Sequence, residues 1–203
     1  MTRRCDRCDA ETHETTQCPF YSRPRDDGVV VSDGNQKAAS KTAAAPPVVM
    51  QLHQVRVPGD GDCLFTALAV QVGMKNDGNS GRVLRRIMAR VLQEHAQTSL
   101  TVAGMPLATW IRADSGSSVP QYCASLRAGR WGGGIELAAF AQQYRMDVDV
   151  FEPTSRASYY RRIAHFPAGP QPPPARGKRR TMRLLYTGGC HYDALLLTNA
   201  AAK

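Results

Sequence analysis

One cysteine follows a short turn at the point where an apolar helix is predicted to begin. The turn spans residues 58–62 and contains two glycines, and Cys63 opens a mostly apolar run that extends to Val72. At a helix start, unpaired backbone N–H groups and the positive end of the helix dipole stabilise a thiolate. The same N–H groups can face the oxyanion that forms when a thiolate attacks a carbonyl, and Gly61 lets the backbone approach the reacting atom. The pattern therefore indicates a nucleophilic thiol.

A thiolate nucleophile needs a base, and the base needs a partner that orients it. His191 stands at the start of the last predicted strand, with Asp193 two positions later. Residues i and i+2 of a strand share a face, so Asp193 can fix the tautomer of His191 and stabilise its imidazolium form. Taken singly, each residue also has an ordinary structural explanation, because a cysteine at a helix start often serves as a small apolar residue.

A second cluster of chemically active side chains lies near the N-terminus. Cys5, Cys8, His13 and Cys18 form a C-x2-C-x4-H-x4-C pattern, and four such ligands suit tetrahedral zinc. We predict one structural zinc ion in a CCHC zinc-knuckle-like segment over residues 1–21, with an unstructured tail as the alternative. Without the metal the segment has too few apolar residues to fold. The acidic residues within it favour a protein contact over nucleic acid.

Composition predicts one domain with a small appendage. The chain has 203 residues, a net charge of +9 and a pI near 9.6, which favours acidic partners. No apolar stretch approaches the length of a membrane span, which is about 18 residues or more, and no apolar run follows the basic N-terminus. We therefore expect no membrane contact, a monomer in the cytoplasm, and cysteines without disulfides. The basic run 178–180 leaves a nuclear location as the alternative.

Apolar periodicity predicts an α+β, compact α/β domain with helices packed on a small sheet. Residues 22–48 read as a flexible linker, and residues 49–199 as the domain. The predicted helices are 63–72, 81–97, 106–113, 119–128 and 135–144. The predicted strands are 52–57, 146–151, 159–166, 182–186 and 192–197, with an exposed proline-rich loop over 167–180. In the second helix, the solvent face is assigned to Arg82, Arg85, Arg86 and Arg90.

Three motifs resemble those of the ovarian-tumour (OTU) family of cysteine proteases, which are deubiquitinases, and occur in the family's order. Residues 60–65 (DGDCLF) resemble the nucleophile motif, residues 131–137 (WGGGIEL) the central Trp-Gly-Gly segment, and residues 191–193 (HYD) the closing histidine motif. The resemblance covers roughly residues 50–199. It implies a papain-type cysteine protease fold and hydrolysis of the isopeptide bond after the C-terminal glycine of ubiquitin, polyubiquitin or a ubiquitin-like modifier. It implies no cofactor for catalysis.

The resemblance also implies roles for single residues. Cys63 is the nucleophile, His191 its base, and Asp193 the partner that orients the base. Asp60 shapes the loop, and backbone N–H groups from Asp60 through Gly61 and Asp62 to Cys63 are the candidate oxyanion donors. Trp131 and Gly132 would form the floor beside the substrate channel, although a structural role for Trp131 stays open. A ubiquitin-binding pseudoenzyme and a nucleic-acid-binding adaptor that uses the zinc knuckle are the alternative functions.

Overall fold

The computed structural model describes residues 31–32, 52–154, 159–169 and 179–197. The helices are α1 Cys63–Gln71, α2 Gly78–His95, α3 Leu107–Ser115, α4 Val119–Arg127 and α5 Gly134–Tyr144. The strands are β1 Val31–Ser32, β2 Leu52–Val55, β3 Thr101–Val102, β4 Met105–Pro106, β5 Asp147–Pro153, β6 Tyr159–Phe166, β7 Thr181–Thr187 and β8 His191–Leu197. Helices thus dominate the first half of the described chain and long strands the second half, as the periodicity predicts.

The described strands form a mixed six-stranded sheet in the order β1-β6-β5-β7-β8-β2, and β3 and β4 form a separate small hairpin. Only β5 and β7 run parallel within the described sheet. The remaining neighbours are antiparallel. Strand β8, which carries His191, therefore lies between β7 and β2. This arrangement brings the end of the domain beside the segment that leads into Cys63.

The two faces of the sheet bury different apolar sets. Alternate side chains of a strand point to opposite faces. Leu184 and Ala194 accordingly join the core formed with the helices, whereas Leu185 and Leu195 join a second cluster on the other face. Cys123 is fully buried in the helical core. Most of the apolar burial that stabilises the fold therefore lies between the helices and one sheet face.

Local signals define several of the helix ends. The Asp77 carboxylate caps α2 by accepting the Ser80 N–H at 2.7 Å, and Ser118 begins α4 with a capping box. Such side chains satisfy N–H groups that have no partner within the helix. Gly116 directly follows α3 as its C-cap, and its φ of +66° is a left-handed conformation suited to glycine.

Three features differ from the sequence-based expectations. Val31–Ser32, within the predicted linker, pairs with β6, and the β3–β4 hairpin was not predicted. Arg85 does not face solvent: it is only 3% exposed, because polar groups from distant segments surround its guanidinium.

The predicted zinc segment, residues 1–21, lies outside the described residues. No helix in the described part is long and apolar enough to cross a membrane.

Candidate active site

Cys63 is the first residue of α1 and is half-buried. The preceding residue, Asp62, makes no side-chain cap bond to the helix, since its carboxylate pairs with Arg85 instead. Burial raises the pKa of the Cys63 thiol, whereas the backbone N–H groups of Tyr192 and Leu64 lower it. The amide stabilisation expected at a helix start is therefore present, but desolvation outweighs it.

His191 is the first residue of β8 and faces Asp193 two positions later. The His191 Nε2 lies 3.0 Å from Asp193 Oδ1, as the shared strand face predicts. A tight turn sets the start of the strand: Gly188 and Gly189 both have positive φ, and the Cys190 N–H donates to the Thr187 carbonyl. Two successive left-handed residues suit glycine, so the sequence of this turn places His191 at the strand end.

Asp193 is held by more groups than the sequence indicates. It is 4% exposed, and it accepts the backbone N–H of Val57 at 2.9 Å and the Gln54 Nε2–H at 2.7 Å. Gln54 lies on β2, directly opposite Leu195 of β8. Sequence reasoning missed Gln54, because only the pairing of β2 with β8 brings it to Asp193. With three hydrogen bonds to its two oxygens, the Asp193 carboxylate has a fixed orientation.

The ends of the domain meet at Cys63. The backbone N–H of Tyr192, the residue next to His191, lies close enough to the Cys63 sulfur to lower the pKa of the thiol. The other ring nitrogen of His191, Nδ1, faces the turn before Cys63: a β-carbon added to Gly59 would lie 3.9 Å from it. The fold therefore places the start of β8 beside Cys63, with His191 Nε2 bonded to the Asp193 carboxylate and Nδ1 on the side of the nucleophile turn.

The turn before Cys63 is ordered by Asp60. Its carboxylate Oδ1 accepts the backbone N–H of Asp62 at 3.0 Å, and Gly61 adopts a φ of +86°, which favours glycine. The Asp62 N–H is thus already bonded within the turn. This bond favours the N–H groups of Gly61 and Cys63, beside that of Asp60, over the Asp62 N–H as the predicted oxyanion donors.

Trp131 and Gly132 lie next to the same turn. Trp131 is 59% exposed, and its indole Nε1 would lie 3.8 Å from a β-carbon added to Gly61. A β-carbon on Gly132 would approach Leu64 and Phe65 of α1 to 2.7 and 2.8 Å. Gly132 therefore allows the loop to pass close over α1, and the exposure of Trp131 leaves its ring available to a ligand rather than in the core.

Buried polar contacts fix the loop that carries Trp131. Glu136 of α5 accepts the backbone N–H of Gly133 and the hydroxyl of Tyr122, both at 2.8 Å. Burial raises the pKa of the Glu136 carboxyl, and these two donors lower it. The glutamate at this position of the WGGGIEL motif thus connects the loop to α4 and α5.

No group of three or more His, Cys, Asp or Glu side chains within the described ranges is arranged to hold a metal ion. The predicted ligands Cys5, Cys8, His13 and Cys18 all lie outside those ranges.

Comparison with known proteins agrees with this geometry. The family model of OTU-like cysteine proteases matches residues 58–192, a range that begins at the nucleophile turn and includes His191. The chain therefore belongs to the OTU-like cysteine protease family. The expected OTU-like arrangement of helices on a sheet is confirmed.

Curated proteins and solved structures give the same relationship. The chain is 29% identical over 97 residues to "Ubiquitin thioesterase Otu1" of Drosophila melanogaster, covering 47% of this chain and 25% of that one. It is 28% identical over 144 residues to "OVARIAN TUMOR DOMAIN-containing deubiquitinating enzyme 2" of Arabidopsis thaliana, covering 70% and 57%. This chain thus spans between a quarter and just over half of these relatives. The fold resembles that of the Hazara virus OTU bound to ubiquitin, with a TM-score of 0.56, 20% identity and coverage of 73% and 83%.

Proposed function

We propose that this chain is a cysteine-type deubiquitinase that hydrolyses isopeptide bonds after the C-terminal glycine of ubiquitin. The observation that carries the proposal is the meeting of Cys63 with the start of β8, where His191 is bonded to Asp193. Two relatives are named ubiquitin thioesterase and deubiquitinating enzyme, and the Hazara virus domain was solved bound to ubiquitin. These names support ubiquitin as the substrate.

In the proposed first step, the Cys63 Sγ attacks the carbonyl carbon of the terminal glycine while His191 takes the thiol proton. Because burial disfavours the free thiolate, the base is needed at neutral pH. The attack places a negative charge on the carbonyl oxygen, for which the N–H groups of Gly61 and Cys63 are the candidate donors. The Asp193 carboxylate stabilises the imidazolium that forms.

In the second step, the tetrahedral intermediate collapses and the C–N bond breaks. The His191 imidazolium donates its proton to the leaving lysine amine, and a thioester joins ubiquitin to Cys63. Water then attacks the thioester with His191 as the base, which releases the ubiquitin carboxylate and restores the thiol. Every proton in this scheme passes through His191, so the scheme needs no cofactor.

We also propose that residues 1–21 bind one structural zinc ion through Cys5, Cys8, His13 and Cys18. The spacing of these ligands supports the proposal. The segment has no part in the proposed chemistry and is assigned to contact with a protein partner.

A ubiquitin derivative with a C-terminal electrophile tests the proposed enzyme. We expect a covalent adduct at Cys63, and hydrolysis of ubiquitin carrying a C-terminal fluorogenic amide. The variant Cys63→Ala should lose both. Cys190→Ala, which removes a neighbouring exposed thiol, should keep both.

The two measurements separate the candidate functions. A folded wild-type chain that forms no adduct would contradict the proposed enzyme. Binding of ubiquitin without turnover would support the pseudoenzyme. Adduct formation that persists in Cys63→Ala would assign the reactive thiol to another cysteine.

A further inference from the structure

The second helix carries a buried cation next to the proposed active site. Arg85 is 3% exposed, although its neighbour Arg86 on the same helix is exposed. A guanidinium has five N–H donors and cannot lose its charge in a protein, so its burial requires acceptors on several sides. The acceptors around Arg85 come from two separate segments of the chain, residues 61–62 and residues 126–130.

The donors of Arg85 reach both loops beside Cys63. Nε lies 2.5 Å from Asp62 Oδ1, and Nη2 lies 2.6 Å from the Gly61 carbonyl oxygen. Nη1 donates to the carbonyl of Arg130 and, at 3.1 Å, to that of Leu126. Gly61 and Asp62 directly precede Cys63, and Arg130 directly precedes Trp131. One planar side chain thus joins the nucleophile turn to the loop that carries Trp131.

The contact with Gly61 controls the orientation of one peptide group. In a trans peptide the carbonyl and the N–H point in opposite directions. The Gly61 carbonyl points to Arg85, and the N–H of the same peptide, on Asp62, points to the Asp60 carboxylate. Rotation of this peptide would break both bonds. Its orientation therefore fixes the backbone on each side, where the candidate oxyanion donors Gly61 N–H and Cys63 N–H lie.

We propose that Arg85 is a positioning residue that holds the oxyanion-binding turn of Cys63 in register with the Trp131 loop. The inference rests on the proposed function and adds a residue that acts through Gly61 and Arg130 without touching substrate. Its planar fork is essential to this role: a lysine keeps the charge opposite Asp62 but cannot hold the Gly61 and Arg130 carbonyls at once.

The test compares two reactions of Cys63 in Arg85→Lys and Arg85→Gln. Hydrolysis of the ubiquitin fluorogenic amide passes through an oxyanion, whereas alkylation by chloroacetamide is a direct displacement without one. Loss of one oxyanion donor costs about 10²–10³ in kcat, so a displaced turn should lower kcat by about tenfold or more. KM and the alkylation rate of the Cys63 peptide, measured by mass spectrometry, should stay within about threefold. Arg86→Lys, the exposed neighbour, is the matched control and should match wild type.

The outcomes decide the role of Arg85. Unchanged kcat in Arg85→Lys, or parallel loss of hydrolysis and alkylation, would overturn the proposal, and so would failure of both variants to fold. If wild type does not hydrolyse the ubiquitin amide, the proposed substrate is wrong. The variants are then compared by their reaction with p-nitrophenyl acetate, because this ester acylates a thiolate through an oxyanion and does not require ubiquitin. A selective loss of Cys63 acylation in Arg85→Lys would then support the positioning role, and its absence would refute it.

Discussion

At the scale of single residues, two opposing influences act on the Cys63 thiol. Burial raises its pKa, and the N–H groups of Tyr192 and Leu64 lower it by a smaller amount. A thiol with a raised pKa becomes a thiolate only at higher pH, so its reactivity at neutral pH depends on transfer of the proton to His191. Removal of the His191 imidazole should therefore make the raised pKa of Cys63 measurable in the reactivity of the thiol.

We therefore expect His191→Ala to shift the reactivity of Cys63 to alkaline pH. The rate of alkylation by chloroacetamide should rise with pH through a midpoint above that of a short cysteine peptide, while wild type should react faster near neutral pH. Mass spectrometry of the Cys63 peptide across a pH series measures both curves. A midpoint in His191→Ala at or below that of the reference peptide would show that the amides, not burial, dominate.

Gln54 is expected to act on the same site through Asp193. Replacement by Met keeps the approximate length of the side chain but removes the Nε2–H that bonds to Asp193 Oδ2. Because the Val57 N–H still holds the other oxygen, we expect kcat to fall only about three- to tenfold with KM unchanged. Steady-state kinetics with the ubiquitin amide measure this. His53→Ala, an exposed residue on the same strand, is the control, and equal activity of both variants would contradict the role of Gln54.

At the scale of elements, the crossing of α1 and α2 depends on a glycine. A β-carbon on Gly81 would lie 2.2 Å from Thr66 Oγ1 and 3.0 Å from Asp62 Cβ. Alanine favours a helix over glycine by up to about 1 kcal/mol, but overpacking costs about 1–3 kcal/mol. The steric cost should therefore win, although Gly81 lies within a helix.

We expect Gly81→Ala to lower the free energy of unfolding by about 1–2 kcal/mol, measured by denaturant titration. The Thr66 hydroxyl has no hydrogen-bond partner within the described structure, so Thr66→Ala removes the nearest clashing atom at little cost. The double variant should recover most of the lost stability. If it is no more stable than Gly81→Ala alone, the overlap with Thr66 is not the cause.

A cross-strand pair between β5 and β6 should make stability depend on pH. His165 Nδ1 lies 2.8 Å from Asp149 Oδ1, and this hydrogen bond raises the pKa of His165 against the opposing effect of burial. A folded-state pKa above the unfolded value stabilises the fold fully below the ordinary pKa of 6.5. That contribution is lost as the pH rises through the raised value.

We expect His165→Gln to destabilise the chain more at about pH 5.5 than at about pH 8.5, by a difference below about 1 kcal/mol. The effect is small because the His165 side chain is 39% exposed, and Arg162 remains 3.4 Å from Asp149. Denaturant titrations of both proteins at the two pH values measure the difference. A loss of stability that is the same at both values would rule out the proposed protonation.

At the scale of the whole molecule, regular patterns in the sequence predict the elements better than they predict the polar contacts between them. Helical spacing of apolar residues predicted α2, an unbroken apolar run predicted α1, and alternation of apolar and polar residues predicted β5, each to within a few residues. The burial of Arg85 was not predictable this way, because hydropathy assigns arginine to the surface. Its partners Asp62 and Arg130 lie 23 and 45 positions away.

The candidate active site also combines contacts that follow from sequence spacing with contacts that depend on the fold. His191 and Asp193 share a strand face, so their contact follows from sequence spacing alone. Gln54 reaches Asp193 across 139 positions, and only the order of strands in the sheet brings them together. The sequence therefore predicts which residues react, whereas the fold determines which residues hold them.

The proposed zinc segment and the candidate active site should behave independently. Within the part of the chain that the structure describes, the contacts that orient Cys63, His191 and Asp193 come from residues between 54 and 193. The full-length chain should contain one zinc ion, measured by atomic emission, and both a chelator and Cys8→Ser should remove it. Turnover of the ubiquitin amide should remain within about twofold in each case. A fall in turnover in proportion to zinc release would mean that the N-terminal segment supports the catalytic domain directly. A chain that binds no zinc would refute the proposed metal site but would leave the proposed hydrolase unaffected.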